Sequence, residues 1–310
     1  MALHKDSGME IWRYDIQEDG DQHSFHGEML LSDDLVIVGT DTKIGHIYAF
    51  EQRTGAVRWK YRVPGSGAST DILRSDSKIY TVADDDVLIC LDLDTGDLVW
   101  QYKSEFVGEI GQLMTRSAAL SGDRIFFGGS AGNVHALNKD SGELIWTKDV
   151  GAPVSTSVLA NEQAVFLGTG DGYLYRLDRN TGEVHARLET ELVPIGRPTL
   201  ADDALYVFLS EGGPLGQGRG KQLLAVDLLL EKQLWQRQPD FVWSATKSYV
   251  WNQMLLTGTE YGETIGYNLD DGDEEWRFQV AGAVRSIGRA ENMLFVGTIA
   301  GMVYAIKTGN

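Results

Sequence analysis

The stretch "YAFEQRTGAVRWKY", residues 48–61, has apolar residues on both sides of a polar centre, with a Thr-Gly pair in the middle and a tryptophan near its end. Nearly the same text returns as "ICLDLDTGDLVWQY" at residues 89–102, "VHALNKDSGELIWTK" at 134–148 and "IGYNLDDGDEEWRF" at 265–278. Such internal self-similarity indicates a repeat architecture. The repeating unit therefore governs the prediction of the fold.

The tryptophans that mark this unit give its length. Successive markers are 41 to 47 residues apart, except for one gap of 89 residues in which one marker is missing. That gap keeps an Asn-Thr-Gly turn at residues 180–182, and we expect His185 to stand where the tryptophan should be. A period of about 40–50 residues is typical of propeller blades and of helical arrays. The markers are Trp12, Trp59, Trp100, Trp146, Trp235 and Trp276.

The pattern within one period favours strands. Residues 164–168, 173–178 and 183–188 are short alternating runs separated by turns rich in glycine, asparagine and aspartate, which is typical of hairpins. The glycine after Thr or Ser fits the left-handed position of a hairpin loop, where a Cβ atom would clash. Apolar spacing of the helical kind is almost absent. Four strands per period predict an all-β fold, a propeller built from four-stranded antiparallel blades.

We predict one propeller domain over residues 1–310, with seven blades and eight as the alternative, because stacked blades cover one another's faces. The last unit stops after its third strand, and "MEIWRYDI", residues 9–16, supplies the missing strand. The N-terminal strand is thus expected to join the C-terminal blade. Residues 1–8 partly repeat the C-terminal text, so either they hang loose or the chain was cut from a larger ring. The expected blades are 26–63, 69–104, 114–150, 154–190, 197–239, 246–280 and 285–310, the last completed by 9–16.

Each marker tryptophan is predicted to be a structural docking residue. On the outer strand of its blade an indole can lie over the next blade, and an aromatic side chain of this size buries about 150–250 Å². Two blades depart from the pattern: residues 225–238 lack the turn glycine, and residues 154–190 lack the tryptophan. The joints at these two blades are expected to be weaker or differently built.

The motif of apolar strand, Asp or Asn, Thr/Ser-Gly, three residues and Trp resembles the pyrroloquinoline-quinone (PQQ) repeat. The resemblance covers nearly the whole chain, and it implies a quinoprotein-like β-propeller. The chain looks most like non-enzymatic members, such as the outer-membrane barrel-assembly lipoprotein and the sensor propellers of bacterial kinases. The pairs that carry the motif are Gly55/Trp59, Gly96/Trp100, Gly142/Trp146 and Gly272/Trp276.

The enzymes of this superfamily bind PQQ and calcium, and they use a catalytic Asp and often a disulfide between adjacent cysteines. This chain has one cysteine, Cys90, and no Asp matches the catalytic position by motif. We therefore predict no catalytic residue, no cofactor and no metal site, and a quinone-dependent oxidoreductase is the lesser alternative. Asp84–Asp86 is interpreted as a solvated hairpin turn, with cation binding as the alternative.

The charge of the chain limits its partners. With 45 acidic and 27 basic residues the net charge is −18, which disfavours nucleic acid and favours basic partners. No run approaches the ~20 apolar residues of a membrane span, and residues 1–15 lack the apolar core of a signal peptide. A complete sequence would be cytoplasmic, and a trimmed mature domain would be periplasmic or extracellular. We expect a monomeric propeller that contacts protein partners as a scaffold within a larger complex. The alternative function is a ligand-sensing propeller that binds a small anion at the mouth of the channel.

Two groups of residues are candidates for binding. Four cations begin innermost strands beside the predicted central channel, where they either hold a small anion or neutralise Asp71, Glu28 and nearby carboxylates. Trp243 does not follow the repeat and is predicted to be a surface anchor, and the long loop 210–222 is either a flexible insertion or a contact loop. The four cations are Arg116, Arg197, Lys247 and Arg285.

Overall fold

The computed structural model describes residues 1–19, 27–40, 45–63, 67–68, 70–83, 85–105, 116–211, 219–238, 241–244 and 247–307. The chain divides into two compact units, Met1–Gly151 and Ala152–Asn310, called unit 1 and unit 2 below. Apart from one short 3-10 helix at Ile16–Asp19, the regular structure of the described residues consists of β-strands. The all-β prediction is therefore correct.

Unit 1 opens with a short antiparallel hairpin. Ala2–Leu3 (β1) pairs with Glu10–Trp12 (β2), and Trp12 lies opposite Ala2. Residues 2 and 3 are therefore paired and do not hang loose. Three four-stranded antiparallel sheets follow in sequence order, called blades 1 to 3. Their strands are Leu30–Ser32 (β3), Leu35–Gly39 (β4), His46–Glu51 (β5), Val57–Arg62 (β6); Leu73–Ser75 (β7), Lys78–Ala83 (β8), Val87–Asp92 (β9), Leu98–Lys103 (β10); Ala119–Ser121 (β11), Arg124–Gly128 (β12), Asn133–Asn138 (β13), Leu144–Asp149 (β14).

Unit 2 holds four more sheets of the same kind, blades 4 to 7. The first three have four strands each, and the last has three among the described residues. The strands of blades 4 to 7 are Leu159–Ala160 (β15), Ala164–Thr169 (β16), Tyr173–Asp178 (β17), Val184–Glu189 (β18); Val193–Ala201 (β19), Ala204–Ser210 (β20), Gln222–Asp227 (β22), Gln233–Arg237 (β23); Tyr249–Trp251 (β25), Met254–Gly258 (β26), Glu263–Asn268 (β27), Glu274–Gln279 (β28); Val284–Ala290 (β29), Met293–Thr298 (β30), Val303–Lys307 (β31). Arg219–Gly220 (β21) and Trp243–Ser244 (β24) form a separate pair.

The turn between the third and fourth strands of a blade explains the repeated motif. In blade 2 the Asp92 carboxylate accepts hydrogen bonds from the backbone N–H groups of Asp94 and Thr95, and Gly96 follows with a φ of +73°. Asn138 and Asp178 cap the corresponding turns in the same way. An Asx side chain and a left-handed glycine together close the loop.

A β-bulge interrupts the pairing of the fourth strand just before each marker position. In blade 2, Leu98 lies opposite Leu91 and Trp100 lies opposite Cys90, so Val99 is the extra residue. The same shift occurs in blade 3, where Leu144 lies opposite Leu137 and Trp146 opposite Ala136. A bulge bends the strand and changes the direction of the next side chain. Blades 1, 4, 5 and 6 show it as well.

The hydrophobic core of each unit lies between successive blades. In unit 1, one cluster joins Ile37 and Ile47 of blade 1 to Ile79 and Ile89 of blade 2. The middle strands are buried on both faces, whereas the fourth strands alternate between exposed and buried positions. Each blade is therefore covered by its neighbours in the unit, as stacked sheets require. The single-domain interpretation and the completion of the last blade by residues 9–16 stay predictions.

Candidate functional site

Four marker tryptophans contact the turn glycine of the next blade. A Cβ atom built on Gly96 would lie 2.5 Å from the indole of Trp59, which shows how closely the ring covers the glycine backbone. The indole N–H of Trp59 donates to the carbonyl oxygen of Leu93, three residues before that glycine, at 2.9 Å. The same arrangement holds for Trp12 on Gly55, Trp100 on Gly142 and Trp235 on Gly272.

These contacts support the predicted docking role of the markers. Trp59 and Trp235 are 8% and 5% exposed, so their rings are almost completely removed from water. Trp146 is equally buried, at 8%, and packs against Phe126 with ring centroids 5.8 Å apart. Trp276 stacks on Phe278, and residues 308–310, which carry the turn expected to receive it, lie outside the described residues.

The joint between blades 4 and 5 uses a different pair of residues. In the register of blade 4, Ala186 lies opposite Arg176, the place that tryptophan takes in other blades, so the assignment of His185 to that place was wrong by one residue. The turn of blade 5 has no glycine; Leu230 takes the left-handed conformation, with a φ of +59°. Leu230 is 4% exposed and belongs to the buried cluster against which Ala186 packs. The missing tryptophan and the missing glycine therefore belong to the same joint between two blades. The sequence pattern had predicted two separate altered joints.

Arg116, a candidate for anion binding, is buried in an ion pair. Its guanidinium lies 3.0 Å from the carboxylate of Asp86, and the two side chains are 8% and 2% exposed. The second carboxylate oxygen of Asp86 accepts hydrogen bonds from the backbone N–H and the hydroxyl of Ser130. Asp86 is therefore buried and not solvated, whereas Asp84 lies outside the described residues. The carboxylate of Asp86 is one of the nearby carboxylates that these cations were predicted to neutralise.

A buried histidine lies next to this ion pair. Nε2 of His135 is 2.7 Å from Oγ of Ser104, and Nδ1 is 2.9 Å from Oγ1 of Thr147. The backbone N–H of Ser104 donates to the carbonyl oxygen of Asp86, which links the two groups. Burial lowers the pKa of His135 to about 4. No sequence motif marks this network, because its members come from four different strands or loops.

A serine beside a histidine is also the arrangement of an activated nucleophile. Here Ser104 and His135 are each 4% exposed, so a substrate cannot reach the hydroxyl in this conformation. A ring with a pKa near 4 is also a weak base at neutral pH. The network therefore satisfies buried polar groups and ties the turn of blade 2 to blade 3.

The other three cations occupy different environments in unit 2. Arg285 makes an ion pair with Glu260, with a shortest distance of 2.7 Å, and its side chain is 40% exposed. Arg197 lies within β19 and is 6% exposed, whereas Lys247 is exposed just before β25. The charge of Arg285 is thus already opposed by a carboxylate, and an anion site on Arg197 and Lys247 stays a prediction.

Trp243 is not a surface anchor. Its side chain is fully buried, at 0% exposure, in the cluster between blades 5 and 6. Its ring lies 5.6 Å from Phe208 and 5.5 Å from Phe241, measured between centroids. The residue departs from the repeat because it belongs to the extra strand β24, which pairs with β21. Strand β21 lies in the long loop 210–222, of which residues 212–218 fall outside the described residues.

The described residues contain no cluster of three or more His, Cys, Asp or Glu side chains able to hold a metal ion. Cys90 is buried, and burial raises the pKa of its thiol to about 12. No helix in the described part of the chain has the length and apolar character needed to cross a membrane.

Comparison with known proteins gives one dominant relationship. The family model described as outer membrane protein assembly factor BamB matches residues 1–120 and 108–239. BamB of Yersinia pestis is 24% identical over 98% of this chain and 78% of its own length. BamB of Kangiella koreensis is 25% identical over 54% of this chain, and that alignment spans only 44% of the relative.

A solved structure agrees with this relationship. The crystal structure of BamB from Moraxella catarrhalis matches with a TM-score of 0.74 and 20% identity, covering 98% of this chain and 90% of that one. The likeness shows the fold, and the predicted β-propeller is confirmed. A quinoprotein ethanol dehydrogenase of Pseudomonas aeruginosa is 35% identical, over 26% of this chain and 14% of its own length. The predicted resemblance to the PQQ repeat is thus confirmed for both branches of the superfamily.

Proposed function

Since the chain belongs to the family described as outer membrane protein assembly factor BamB, we propose that it is a non-catalytic propeller that supports protein–protein contacts within a larger assembly. The family match over residues 1–239 carries this proposal. The name of these relatives suggests the assembly of outer membrane proteins as the process that the chain serves.

The polar groups of the structure support a scaffold more than an enzyme. The Ser104–His135 pair is buried, and Asp86 is held by Arg116 and Ser130. These groups connect loops of neighbouring blades and do not surround an open cleft. Hydrogen bonds and an ion pair between loops hold neighbouring blades in a fixed arrangement, which suits a rigid scaffold.

The similarity to quinoprotein dehydrogenases fits the shared repeat. It spans 85 residues and 14% of the dehydrogenase of Pseudomonas aeruginosa, whereas the alignment to BamB of Yersinia pestis spans almost the whole chain. Function belongs to sites grafted on a fold, and a repeat alone transfers no activity. We therefore propose that the chain is not an enzyme. Dye-linked oxidation of ethanol or butanol after incubation with PQQ and calcium would contradict this.

The scaffold proposal is tested with the whole chain in its native host. An affinity-tagged copy is isolated under native conditions at several salt concentrations, and the eluate is analysed by size-exclusion chromatography and mass spectrometry. We expect a stoichiometric protein partner that co-elutes. In cells that lack the chain, the amount of folded outer membrane proteins should fall. A chain that elutes alone at every salt concentration would contradict the scaffold role.

A further inference from the structure

The bulges on the outer strands differ in chemistry from blade to blade. In blades 2 and 3 the two bulge residues are both aliphatic, Leu98-Val99 and Leu144-Ile145, and these side chains are 40–47% exposed. In blade 6 the same two positions are Glu274 and Glu275. Single exposed aliphatic residues are ordinary, but here four of them occupy equivalent positions on two consecutive blades.

The docked indole of blade 2 contacts the turn that leads into the bulge of blade 3. Trp100 directly follows Val99, and its ring covers Gly142, where a Cβ atom would lie 2.6 Å away. Gly142 is followed at once by Glu143 and then by the bulge of blade 3. Trp100 is only partly buried, in contrast to Trp59 at 8%, so part of this residue stays accessible next to Val99 in the chain. We call the surface formed by Leu98, Val99, Trp100, Leu144 and Ile145 the bulge patch.

Exposed carboxylates border the bulge patch. Asp97 precedes the bulge of blade 2 and Glu143 precedes that of blade 3, and both are exposed and without an ion pair in the described part of the chain. Asp94, in the turn before Asp97, is exposed as well. A second copy of this chain carries a net charge of −18 and would be repelled from such a border. An apolar surface with an anionic edge fits a partner of opposite charge.

We propose that the bulge patch is a docking site for a segment of another protein that carries aliphatic side chains flanked by lysine or arginine. This inference rests on the proposed scaffold function and names the chemistry of the partner. The aliphatic residues of that segment cover the bulge patch, and its cations approach Asp97 and Glu143. Val99 and Ile145 are the extra residues of the two bulges and have no partner in the strand ladder, and all four aliphatic side chains are exposed.

Three short synthetic peptides of equal length test the chemistry: one alternates lysine with leucine, one glutamate with leucine and one lysine with serine. Fluorescence anisotropy measures their binding to the whole chain and to two variants. We expect the lysine–leucine peptide to bind most tightly to the wild-type chain. Its Kd should rise at least about tenfold for the double variant Leu98→Gln/Leu144→Gln, which corresponds to a loss of ~1.4 kcal/mol of binding free energy. Leu234→Gln, a change at the equivalent exposed bulge of blade 5, should leave Kd unchanged.

Several results would overturn the docking site. Equal binding of the lysine–serine peptide would show that charge alone acts, and equal binding of the glutamate–leucine peptide would remove the role of the carboxylates. An unchanged Kd in the double variant would place the site elsewhere. Sedimentation that shows a wild-type dimer, lost in the double variant, would make a second copy the occupant.

Two further measurements complete the test. Hydrogen exchange on the wild-type chain should slow at residues 97–99 and 143–145 when the lysine–leucine peptide is bound, a readout that does not depend on the folding of any variant. Isolation of the double variant from the native host separates the two proposals. If it still recovers the partner as well as the wild type, the docking site is wrong and the scaffold role stands.

Discussion

The indole N–H of Trp235 donates a hydrogen bond of 2.8 Å to the carbonyl oxygen of Leu269, three residues before the glycine that the same ring covers. One side chain thereby combines apolar burial with the satisfaction of a backbone acceptor in the next blade. Tryptophan is the residue that unites a large apolar ring with such a donor.

Replacement of Gly272 by alanine should destabilise unit 2 more than its backbone conformation requires. The φ of Gly272 is +74°, and a Cβ atom there would lie 2.5 Å from the ring of Trp235. Gly301 has a φ of +73° with no atom within 4 Å, so Gly301→Ala measures the backbone cost alone. We expect ~1–2 kcal/mol for the control and about 1–3 kcal/mol more for Gly272→Ala by urea unfolding. Equal costs would contradict the close contact.

Removal of the Trp235 ring should be one of the largest losses that a single substitution causes in unit 2. The residue is 5% exposed, and a buried Trp→Ala change costs about 3–5 kcal/mol. The neighbouring Leu234 is 38% exposed, and Leu234→Ala should stay within about 0.5 kcal/mol. The free energy of unfolding from urea titrations checks both. Similar losses in the two variants would show that the ring does not join the blades.

Introduction of a tryptophan at Ala186 should destabilise the chain by about 1–3 kcal/mol, because Leu230 already fills the buried cluster there. Leu230→Gly in the same chain removes that side chain and suits the φ of +59°. The double variant should therefore be more stable than the sum of the single changes predicts, by about 0.5–3 kcal/mol. A double-mutant cycle in urea measures this coupling, and simple additivity would show that the two positions do not share space.

Neutralisation of Asp86 should leave a buried charge without its partner. Asp86→Asn keeps a side chain that tolerates the φ of +59°, so backbone strain is unchanged. Loss of one member of a buried pair costs about 3–5 kcal/mol. Glu260→Gln removes the partner of Arg285, whose side chain is 40% exposed, and should cost no more than about 1 kcal/mol. Thermal and urea unfolding compare the stability losses of the two variants. Equal losses would contradict the prediction, because they would show that Arg116 reaches water when its partner is removed.

Stability should fall as the pH decreases from about 6.5 to about 4, through His135. In the folded chain burial lowers the pKa of this ring to about 4, whereas an unfolded histidine titrates near 6.5. Between these two pH values the unfolded chain binds a proton that the folded chain does not. The free energy of unfolding therefore decreases by up to about 3 kcal/mol as the pH falls from 6.5 to 4, and the full value is present above pH 6.5. His135→Gln keeps hydrogen-bonding groups without the titration. The free energy of unfolding of this variant should change less with pH over this range than that of the wild-type chain. The same pH dependence in both proteins would contradict the assignment to His135.

The repeat made the blades predictable from sequence because one motif encodes the local structure many times. Asp92 and Gly96 define a turn whose geometry depends on neighbours in the chain, so their spacing is sufficient to recognise it. The register of a fourth strand is harder to predict, because the bulge adds a residue just before the marker. The neighbouring residue His185 was for this reason assigned to the place of Ala186.

The buried polar network was not predictable in the same way. Asp86, Arg116, Ser130 and His135 meet through tertiary packing, and an acidic turn such as Asp84–Asp86 is usually solvated. Trp243 illustrates the converse, since an aromatic residue outside the repeat suggested a surface role while β24 carries it into the core. A sequence repeat predicts the positions of residues that recur in every blade. The environment of a residue that occurs only once, such as Trp243, is known only from the three-dimensional structure.

The recurrent bulge on the fourth strands has a consequence for aggregation and for evolution. A regular outermost strand would offer its free backbone groups to any passing chain, and the extra residue makes the strand a poor template for such growth. The extra residue itself, such as Val99 or Ile145, has no partner in the ladder. If the proposed docking site is correct, substitutions at this extra residue change the partner that is bound, while the turn and the indole contact stay as they are.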